Sequence, residues 1–403
     1  MSTSLLYHGF GVRGYQHLST RYEGGRVIFT IRQNLSGLSC ACCGASQVRT
    51  KGEVIRQFRS LPIGLKPVWV SLAIKRLFCP ACGMVRQAKI GFADARRTYT
   101  KAFERYALEL GRHMTIQDVA RHLEVSWDVI KDIQRRDLEK RFARPRLKDL
   151  KRIAIDEISI GKGHRYLTVV LDLQTGAVVF VGDGKGAEAL TPFWKRLKCA
   201  KAKIEAVAVD MSPAYTSAIS QHLPRAAIVF DHFHVVKLFN DKLSDFRRSL
   251  YRQACVQDKA VLKGTRWLLL KNPENLGADR GEPDRLRKAL ELNQPLACAY
   301  YMKEDLRRLW SQPTKQAAES FLFDWAGQAW NSGVSMLSKF ADTLMAHRTG
   351  ILAYYDHPIS TGPLEGTNNK IKTMKRQAYG FRDMDFFKLK IKAIHQTRYA
   401  LVG

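Results

Sequence analysis

The chain has 403 residues, 45% of them hydrophobic, which is enough for two or three domains with real cores. Its 66 lysines and arginines outnumber 37 acidic residues, and the resulting charge of +29 predicts a polyanionic partner, with nucleic acid as the first candidate. We find no run of eighteen apolar residues and no basic start before an apolar stretch, so we expect no membrane span, no signal peptide and a cytoplasmic location.

Residues 1–95 are predicted to form a zinc-ribbon domain, because two C-x-x-C motifs bracket a β-rich stretch. The predicted thiolate ligands of one structural Zn²⁺ are Cys40, Cys43, Cys79 and Cys82. Thirty-five residues separate Cys43 from Cys79, so we expect a long hairpin or an extra strand between the motifs. Cys42 is adjacent to Cys43, and the spacing favours Cys43 as the ligand. Four unligated or redox cysteines are the alternative interpretation.

Residues 96–142 carry the pattern of a helix-turn-helix. Thr115 begins a capping box for a short helix, and Ser126 can cap the next one. The exposed face of this last helix is expected to contact DNA through Lys131, Gln134 and Arg135. A small three-helix bundle with no such role is the alternative. Residues 143–150 are predicted to be a basic linker.

From residue 151 onward the pattern is that of an α/β domain. One apolar run, Ile153–Ile155, ends at Asp156, and a second run that is predicted to be a buried strand, Ile204–Val209, ends at Asp210. Active sites of open α/β sheets gather at the C-terminal ends of strands, and carboxylates there suit divalent cations such as Mg²⁺. Aspartate is also a common strand terminator, so the pattern alone leaves a structural role open.

A third strand ends before Asp231, and more than a hundred residues with helical patterns follow. A compact α/β core cannot absorb them, so we place the core in residues 151–240, an all-helical insertion in 241–355 and final core helices in 356–403. The insertion contains Trp267, Trp310, Trp325 and Trp330, which we expect in its core, although one of them could stack on a base.

Gly362 and Pro363 are typical of a helix start, which puts Glu365 in the first turn. A carboxylate there either satisfies backbone N–H groups or binds a metal. The helix that follows is basic, and phosphate contacts are expected from Lys370, Lys372, Lys375 and Arg376, unless they form a solvated face.

Several motifs resemble, in the same order, those of the ISL3 family of bacterial insertion-sequence transposases. They are IAIDE, VAVDMSPAY, FDHFHV and GPLEGTNNKIK. The resemblance implies an N-terminal zinc-binding domain and an RNase H-like DDE nuclease, with Asp156, Asp210 and Glu365 binding two Mg²⁺ or Mn²⁺ ions. It also implies double-stranded DNA as partner, both element ends and target, a homodimer or larger assembly on paired ends, and action at the bacterial nucleoid.

Transposases with an all-helical insertion, which this chain resembles, often carry a C/D-x-x-H pair where Asp231 and His234 stand. If a helix begins at Asp231, the two side chains share a face, so they could hydrogen-bond and reach the scissile phosphate together. A histidine there could donate to a phosphate oxygen or move a proton. Alternatively, Asp231 caps the helix and His234 packs beneath the insertion.

The predicted protein is therefore multidomain: a Cys₄ zinc ribbon, a helix-turn-helix bundle and an RNase H-like α/β core interrupted by an all-helical insertion. It is expected to bind terminal inverted repeats and to catalyse metal-dependent strand cleavage and strand transfer. Two alternatives are a catalytically silent, zinc-dependent DNA-binding regulator and an RNase H-type nuclease. The presence of all three carboxylates argues against the first, and a sequence-reading N-terminal half argues against the second.

Overall fold

The computed structural model describes residues 4–34, 37–161, 163 and 165–396, whose ten strands and sixteen α-helices are numbered here in chain order. The chain divides into two compact units, Met1–Ala143 with Thr373–Gly403, and Arg144–Lys372. The predicted segment 356–403 is thus shared between the units, and its residues 397–403 lie outside the described part. No helix among the described residues is long and apolar enough to cross a membrane.

The first unit begins with helix α1 (Leu5–Phe10) and a five-stranded sheet of order β1-β2-β4-β3, with β5 paired to β4. The strands are β1 (Tyr15–Glu23), β2 (Arg26–Gln33), β3 (Arg49–Ile63), β4 (Lys66–Phe78) and β5 (Val85–Gln87). Strands β3 and β4 form the long antiparallel hairpin expected between the cysteine pairs. Every second side chain of β4 from Val68 to Ile74 is buried, which matches the period of a strand with one face on a core.

Three helices follow in the same unit: α2 (Lys101–Leu110), α3 (Ile116–Leu123) and α4 (Trp127–Phe142). Thr115 caps α3 as predicted, since its hydroxyl accepts a hydrogen bond from the Asp118 backbone N–H at 3.2 Å; this is one of the two bonds of a capping box. Ser126 stands at the N-cap of α4 without a side-chain bond to the helix. Helix α4 packs against α16 (Met384–Lys392), with Leu138 and Phe386 in one apolar cluster.

The second unit is a mixed α/β domain on a five-stranded sheet of order β10-β9-β6-β7-β8. The strands are β6 (Arg152–Gly161), β7 (Arg165–Asp172), β8 (Val178–Asp183), β9 (Ala206–Val209) and β10 (Ala227–Phe230). Strands β6, β7 and β8 are antiparallel, whereas β9 and β10 run parallel to β6. Helices α5 (Thr191–Ala200) and α6 (Pro213–His222) follow β8 and β9, and all four residues of β9 are buried.

Between β10 and α15 (Gly362–Gln377) the chain is helical. The helices are α7 (His232–Gln253), α8 (Val256–Leu262), α9 (Arg266–Leu270), α10 (Glu282–Leu292), α11 (Gln294–Leu306), α12 (Lys315–Asn331), α13 (Ser335–Ala346) and α14 (Arg348–Leu352). Phe239, Trp325 and Phe340 pack edge to face at their centre, with the closest ring centroids 4.8 Å apart. One continuous core joins these helices to the sheet, so the insertion is anchored directly on it.

Two glycines shape this region. Gly333 separates α12 from α13, and its φ of +70° favours glycine. Gly350 lies in α14, which packs on β10 so closely that a Cβ at this position would lie 2.5 Å from the ring of Phe230.

Candidate functional site

Three aspartates lie side by side at one level of the second unit's sheet. The parallel registers of β6, β9 and β10 place Asp156, Asp210 and Asp231 on neighbouring strands at the same height. Asp210 and Asp231 directly follow their strands, as predicted. Strand β6 does not end at Asp156 but continues to Gly161, because its second half pairs with β7.

The carboxylate of Asp156 is half-buried among other acidic groups. Burial raises its pKa, and the negative charges of Asp210 and Glu157 act in the same direction, while the backbone N–H of Glu157 and the charge of His234 oppose them. The Asn368 amide nitrogen donates a hydrogen bond to Asp156 Oδ2 at 2.8 Å. A desolvated carboxylate beside other acids is a suitable ligand for a cation, because the cation relieves this repulsion.

Glu157 points away from this cluster, as the alternation of a strand requires. Its carboxylate accepts a hydrogen bond from the Tyr215 hydroxyl at 2.7 Å, and Tyr215 is fully buried in α6. Glu157 therefore ties β6 to α6 and is not a third ligand beside Asp156 and Asp210.

Helix α15 reaches β6 through Asn368. This side chain is only 5% exposed, and its Oδ1 is buried with no hydrogen-bond partner among the described residues. Glu365 stands three residues earlier on the same helix, where i and i+3 side chains are neighbours, and it is exposed. The contact between Asn368 and Asp156 thus brings the part of α15 that carries Glu365 to the acidic cluster.

Asp231 holds the start of this helix. Its side chain is buried, with one oxygen accepting from the Phe233 N–H at 2.9 Å and the other from the Thr361 N–H at 2.7 Å and the Thr361 hydroxyl. The Thr361 carbonyl in turn accepts the N–H of Glu365, so Thr361 is the helix cap, one residue before the predicted Gly362.

The expected hydrogen bond between Asp231 and His234 is absent from the described contacts, and the Asp231 carboxylate accepts from Phe233 and Thr361 instead. His234 is half-buried on the first turn of α7, and its charge lowers the pKa of Asp156. The structure gives Asp231 a partner in Thr361 and not in His234.

A second cluster lies in the first unit, where four cysteine sulfurs converge. Cys40 and Cys82 have Sγ atoms 3.7 Å apart, and those of Cys43 and Cys79 are 3.5 Å apart. Four thiolates around one Zn²⁺ would have sulfurs about 3.8 Å apart, so the quartet fits a tetrahedral zinc site. Cys42 is exposed and outside the quartet, and only its backbone N–H approaches, 3.4 Å from Cys40 Sγ.

These cysteines are the one group of three or more potential ligands, among the described residues, whose ligand atoms all lie within 4.8 Å of one another. The carboxylates of Asp156, Asp210 and Glu365 are spaced more widely than this. The cysteine quartet is thus more compact than the set of three carboxylates.

The face of α4 that was predicted to contact DNA is largely covered by the α16 segment. Asp383 forms ion pairs with Lys131, at 2.9 Å, and with Arg135, and the Phe386 ring lies beneath both cations. Gln134 is only 5% exposed, so the expectation that it faces a DNA groove is wrong. Lys131 and Arg135 are half-buried and paired instead of free.

The basic residues of α15 differ in exposure. Lys372 and Arg376 are exposed, whereas Lys370 and Lys375 are half-buried.

Of the tryptophans in the insertion, Trp325 is in the core, with its indole N–H donating to the Met302 carbonyl at 2.9 Å. Trp267 is 65% exposed beneath the guanidinium of Arg266 and remains a candidate for base stacking.

Three family models match this chain. Residues 153–391 match the family model described as "Transposase" of the ISL3 type, residues 88–137 match the "Helix-turn-helix domain of transposase family ISL3", and residues 37–82 match the "zinc-finger of transposase IS204/IS1001/IS1096/IS1165".

Two curated relatives extend over nearly the whole chain. It is 34% identical over 392 residues to the transposase for insertion sequence element IS1001 of Bordetella parapertussis, covering 96% of this chain and 95% of that one. It is 30% identical over 389 residues to the transposase for insertion sequence element IS1557 of Mycobacterium tuberculosis, covering 89% of this chain and 86% of that one. A solved structure of the Drosophila P element transposase strand transfer complex aligns with 75% of this chain and 93% of its own. The identity is 11% and the TM-score is 0.34, so the similarity is distant. The chain belongs to the ISL3 family of transposases.

Proposed function

We propose that this DNA transposase cuts and joins DNA with Asp156, Asp210 and Glu365 as its metal-binding carboxylates. The observation that carries the proposal is the hydrogen bond from Asn368 to Asp156. It attaches the helix of Glu365 to the strand of Asp156, beside which Asp210 lies at the same height.

In this proposal the catalytic domain is RNase H-like. Three antiparallel strands, β6 to β8, are followed by two strands parallel to β6. Asp156 lies on the central strand β6, and Asp210 directly follows the neighbouring strand β9. The all-helical insertion lies between β10 and α15, so Glu365 arrives at the site from beyond it.

The donor set fits Mg²⁺ or Mn²⁺, because all the candidate ligand atoms are oxygens. A bound cation would stabilise the charged form of Asp156, whose pKa is raised by burial. A water on that cation could donate a hydrogen bond to Asn368 Oδ1. A pair of such ions would supply an activated oxygen nucleophile and neutralise charge on the leaving oxygen. Strand β6 positions Asp156, the end of β9 positions Asp210, and the exposed Glu365 can complete the site from α15.

His234 is proposed to contact the reacting phosphate. Its position near Asp156, on the first turn of α7, allows it to donate to a phosphate oxygen or carry a proton. Asp231 is proposed as a positioning residue, because both of its oxygens bind Thr361 or cap α7.

The first unit is proposed to recognise the terminal inverted repeats through its zinc ribbon, with one structural Zn²⁺, and its helix-turn-helix. Lys131 and Arg135 can reach phosphates only if they leave Asp383. On α15, the exposed Lys372 and Arg376 are the better candidates for phosphate contact, with Lys370 and Lys375 beside them. Double-stranded ends and target DNA are the proposed partners, bound by a homodimer or larger assembly at the bacterial nucleoid.

Incubation with Mg²⁺ and DNA that carries the element's own ends, with cuts mapped on both strands, tests the proposal. We expect cleavage by the wild type and none by Asp156→Ala, Asp210→Ala or Glu365→Ala, while end binding survives in all three. Asp241→Ala removes an exposed carboxylate from α7 and is the matched control.

Robust cutting by a triad variant removes that residue from the proposed site. Specific end binding by the wild type without any cutting would favour a silent regulator, and cutting of RNA or junctions alone would favour an RNase H-type nuclease.

A further inference from the structure

We propose that Asn368 is a positioning residue of the active site, whose carboxamide holds the Asp156 carboxylate in the orientation that binds a cation. This inference rests on the proposed function, because it takes Asp156 to be a metal ligand. It concerns a residue that stands three positions after Glu365 on α15.

The direction of the hydrogen bond is fixed by chemistry. An ionised carboxylate only accepts hydrogen bonds, so the amide nitrogen of Asn368 must face Asp156, and its oxygen must point elsewhere. The measured distance from Asn368 Nδ2 to Asp156 Oδ2 is 2.8 Å, and the Asn368 side chain is buried. A buried side chain in one orientation can hold its partner in one orientation.

Asp156 needs such a partner because it shares its level of the sheet with Asp210 and Asp231. A carboxylate that is free to rotate would turn away from neighbouring negative charge. The hydrogen bond from Asn368 occupies one of its two oxygens and opposes this rotation. The same bond fixes α15 against β6, so the placement of Glu365 depends on it as well.

A second observation points to a ligand at this position. The Oδ1 atom of Asn368 is buried and has no partner among the residues that the structure describes. Buried polar atoms are almost always hydrogen-bonded, to protein or to ordered water. In the loaded site this oxygen would accept a hydrogen bond from an ordered water.

The test uses the full chain and compares Asn368→Leu with Asn369→Leu. The first removes the donor at similar side-chain size, and the second makes the same change at the exposed neighbouring residue. Binding of Mn²⁺ is measured from the electron paramagnetic resonance signal of the free ion, without DNA. We expect Asn368→Leu to weaken Mn²⁺ binding roughly 10- to 100-fold, as loss of a group that orients a metal ligand does, and Asn369→Leu to bind as the wild type.

Cleavage assays should show the same shift in the Mg²⁺ concentration that gives half-maximal rate, while end binding without divalent cations changes less than about twofold. If Asn368→Leu fails to fold, Asn368→Ser is tested in the same way, because its short hydroxyl cannot span the distance to Asp156. We expect it to weaken Mn²⁺ binding at least about tenfold.

A folded Asn368 variant with wild-type Mn²⁺ affinity overturns this inference. The result is distinguishable from failure of the proposed function, which would appear as Asp156→Ala binding Mn²⁺ and cutting DNA like the wild type. If Asp156→Ala is inactive and the Asn368 variants are normal, only the positioning role is refuted.

Discussion

Asp231 binds Thr361, a residue 130 positions further along the chain, through both the backbone N–H and the hydroxyl of Thr361. The same carboxylate caps α7 through the Phe233 N–H. One buried side chain therefore ties the beginning of the helical insertion to its end. Because Thr361 is also the cap of α15, this contact determines where the helix with Glu365 begins.

The first prediction is that Asp231→Ala destabilises the protein by about 2–4 kcal/mol, because it removes a helix cap and leaves a buried N–H without a partner. Thr361→Val keeps the backbone bond and loses only the hydroxyl, so it should cost about 1 kcal/mol. Urea unfolding of the full chain measures both losses. An Asp231→Ala variant as stable as the wild type would show that the contact does not hold the insertion together.

His234→Ala is expected to slow cleavage by roughly ten- to a thousandfold, in line with the loss of one acid–base or phosphate contact. Its melting temperature and its affinity for DNA ends should hardly change, because His234 is only half-buried. Single-turnover cleavage and thermal unfolding give the two readouts. If the variant cuts at the normal rate, or loses activity only by melting, His234 is a structural residue.

The purified protein is expected to contain about one equivalent of zinc, which Cys40→Ser and Cys82→Ser should each remove. The first unit should then lose its fold around the β3–β4 hairpin, since structural zinc supplies folding energy. Cys42→Ser is the matched control, because the Cys42 sulfur is outside the quartet. Metal analysis combined with circular dichroism makes the comparison, and a zinc-free wild type with intact end binding would contradict the prediction.

The ion pairs of Asp383 predict an acid-sensitive attachment of α16 to α4. The Phe386 backbone N–H, together with Lys131 and Arg135, lowers the pKa of Asp383 to about 2 from an ordinary value of 3.8. A carboxylate with a lowered folded-state pKa contributes stability above its unfolded pKa, and that contribution is lost as the pH falls from about 4 to about 2.

Asp383→Asn should therefore lower stability at pH 5 and make little difference near pH 2. Urea unfolding of both proteins across this pH range measures the change. An equal difference between them at both ends of the range would show that the charge of Asp383 is not the source of the contribution.

Binding to DNA ends should weaken steeply with salt, because a chain of net charge +29 must displace many counterions from phosphates. The slope of log affinity against log salt should become less steep by about one unit in Lys372→Ala and in Arg376→Ala, if each contacts one phosphate. Fluorescence anisotropy at several salt concentrations measures the slope. A nearly flat dependence for the wild type would point away from DNA as the main partner.

Features that depend on nearby residues could be predicted from the sequence. The capping box of Thr115 and Asp118 is local, and so is the choice of Cys43 over Cys42, which follows from the geometry of a C-x-x-C turn. The strand that leads to Asp210 could be predicted because all four of its residues are apolar, and the structure buries all four. In each case the decisive contacts are made within a few positions along the chain.

Contacts between distant segments could not be predicted in this way. The partner of Lys131 and Arg135 is Asp383, which is 248 residues from Arg135. The continuation of β6 past Asp156 depends on its pairing with β7, so the residues next to Asp156 do not predict where the strand ends. The position of Asn368 beside the acidic residues is an exception that could be predicted, because residues 365 and 368 are neighbours on one face of a helix.

The position of the cysteine quartet has a consequence for how the first unit folds. Strands β3 and β4 pair from Arg49 with Phe78 onward, so Cys79 directly follows the last pair of the hairpin. A slip by one residue would move one strand by about 3.3 Å and turn its buried side chains to the other face. That movement would separate sulfurs that now lie 3.5 Å apart, such as those of Cys43 and Cys79. Zinc binding should therefore stabilise only the native register of β3 and β4, because only that register brings all four thiolates together.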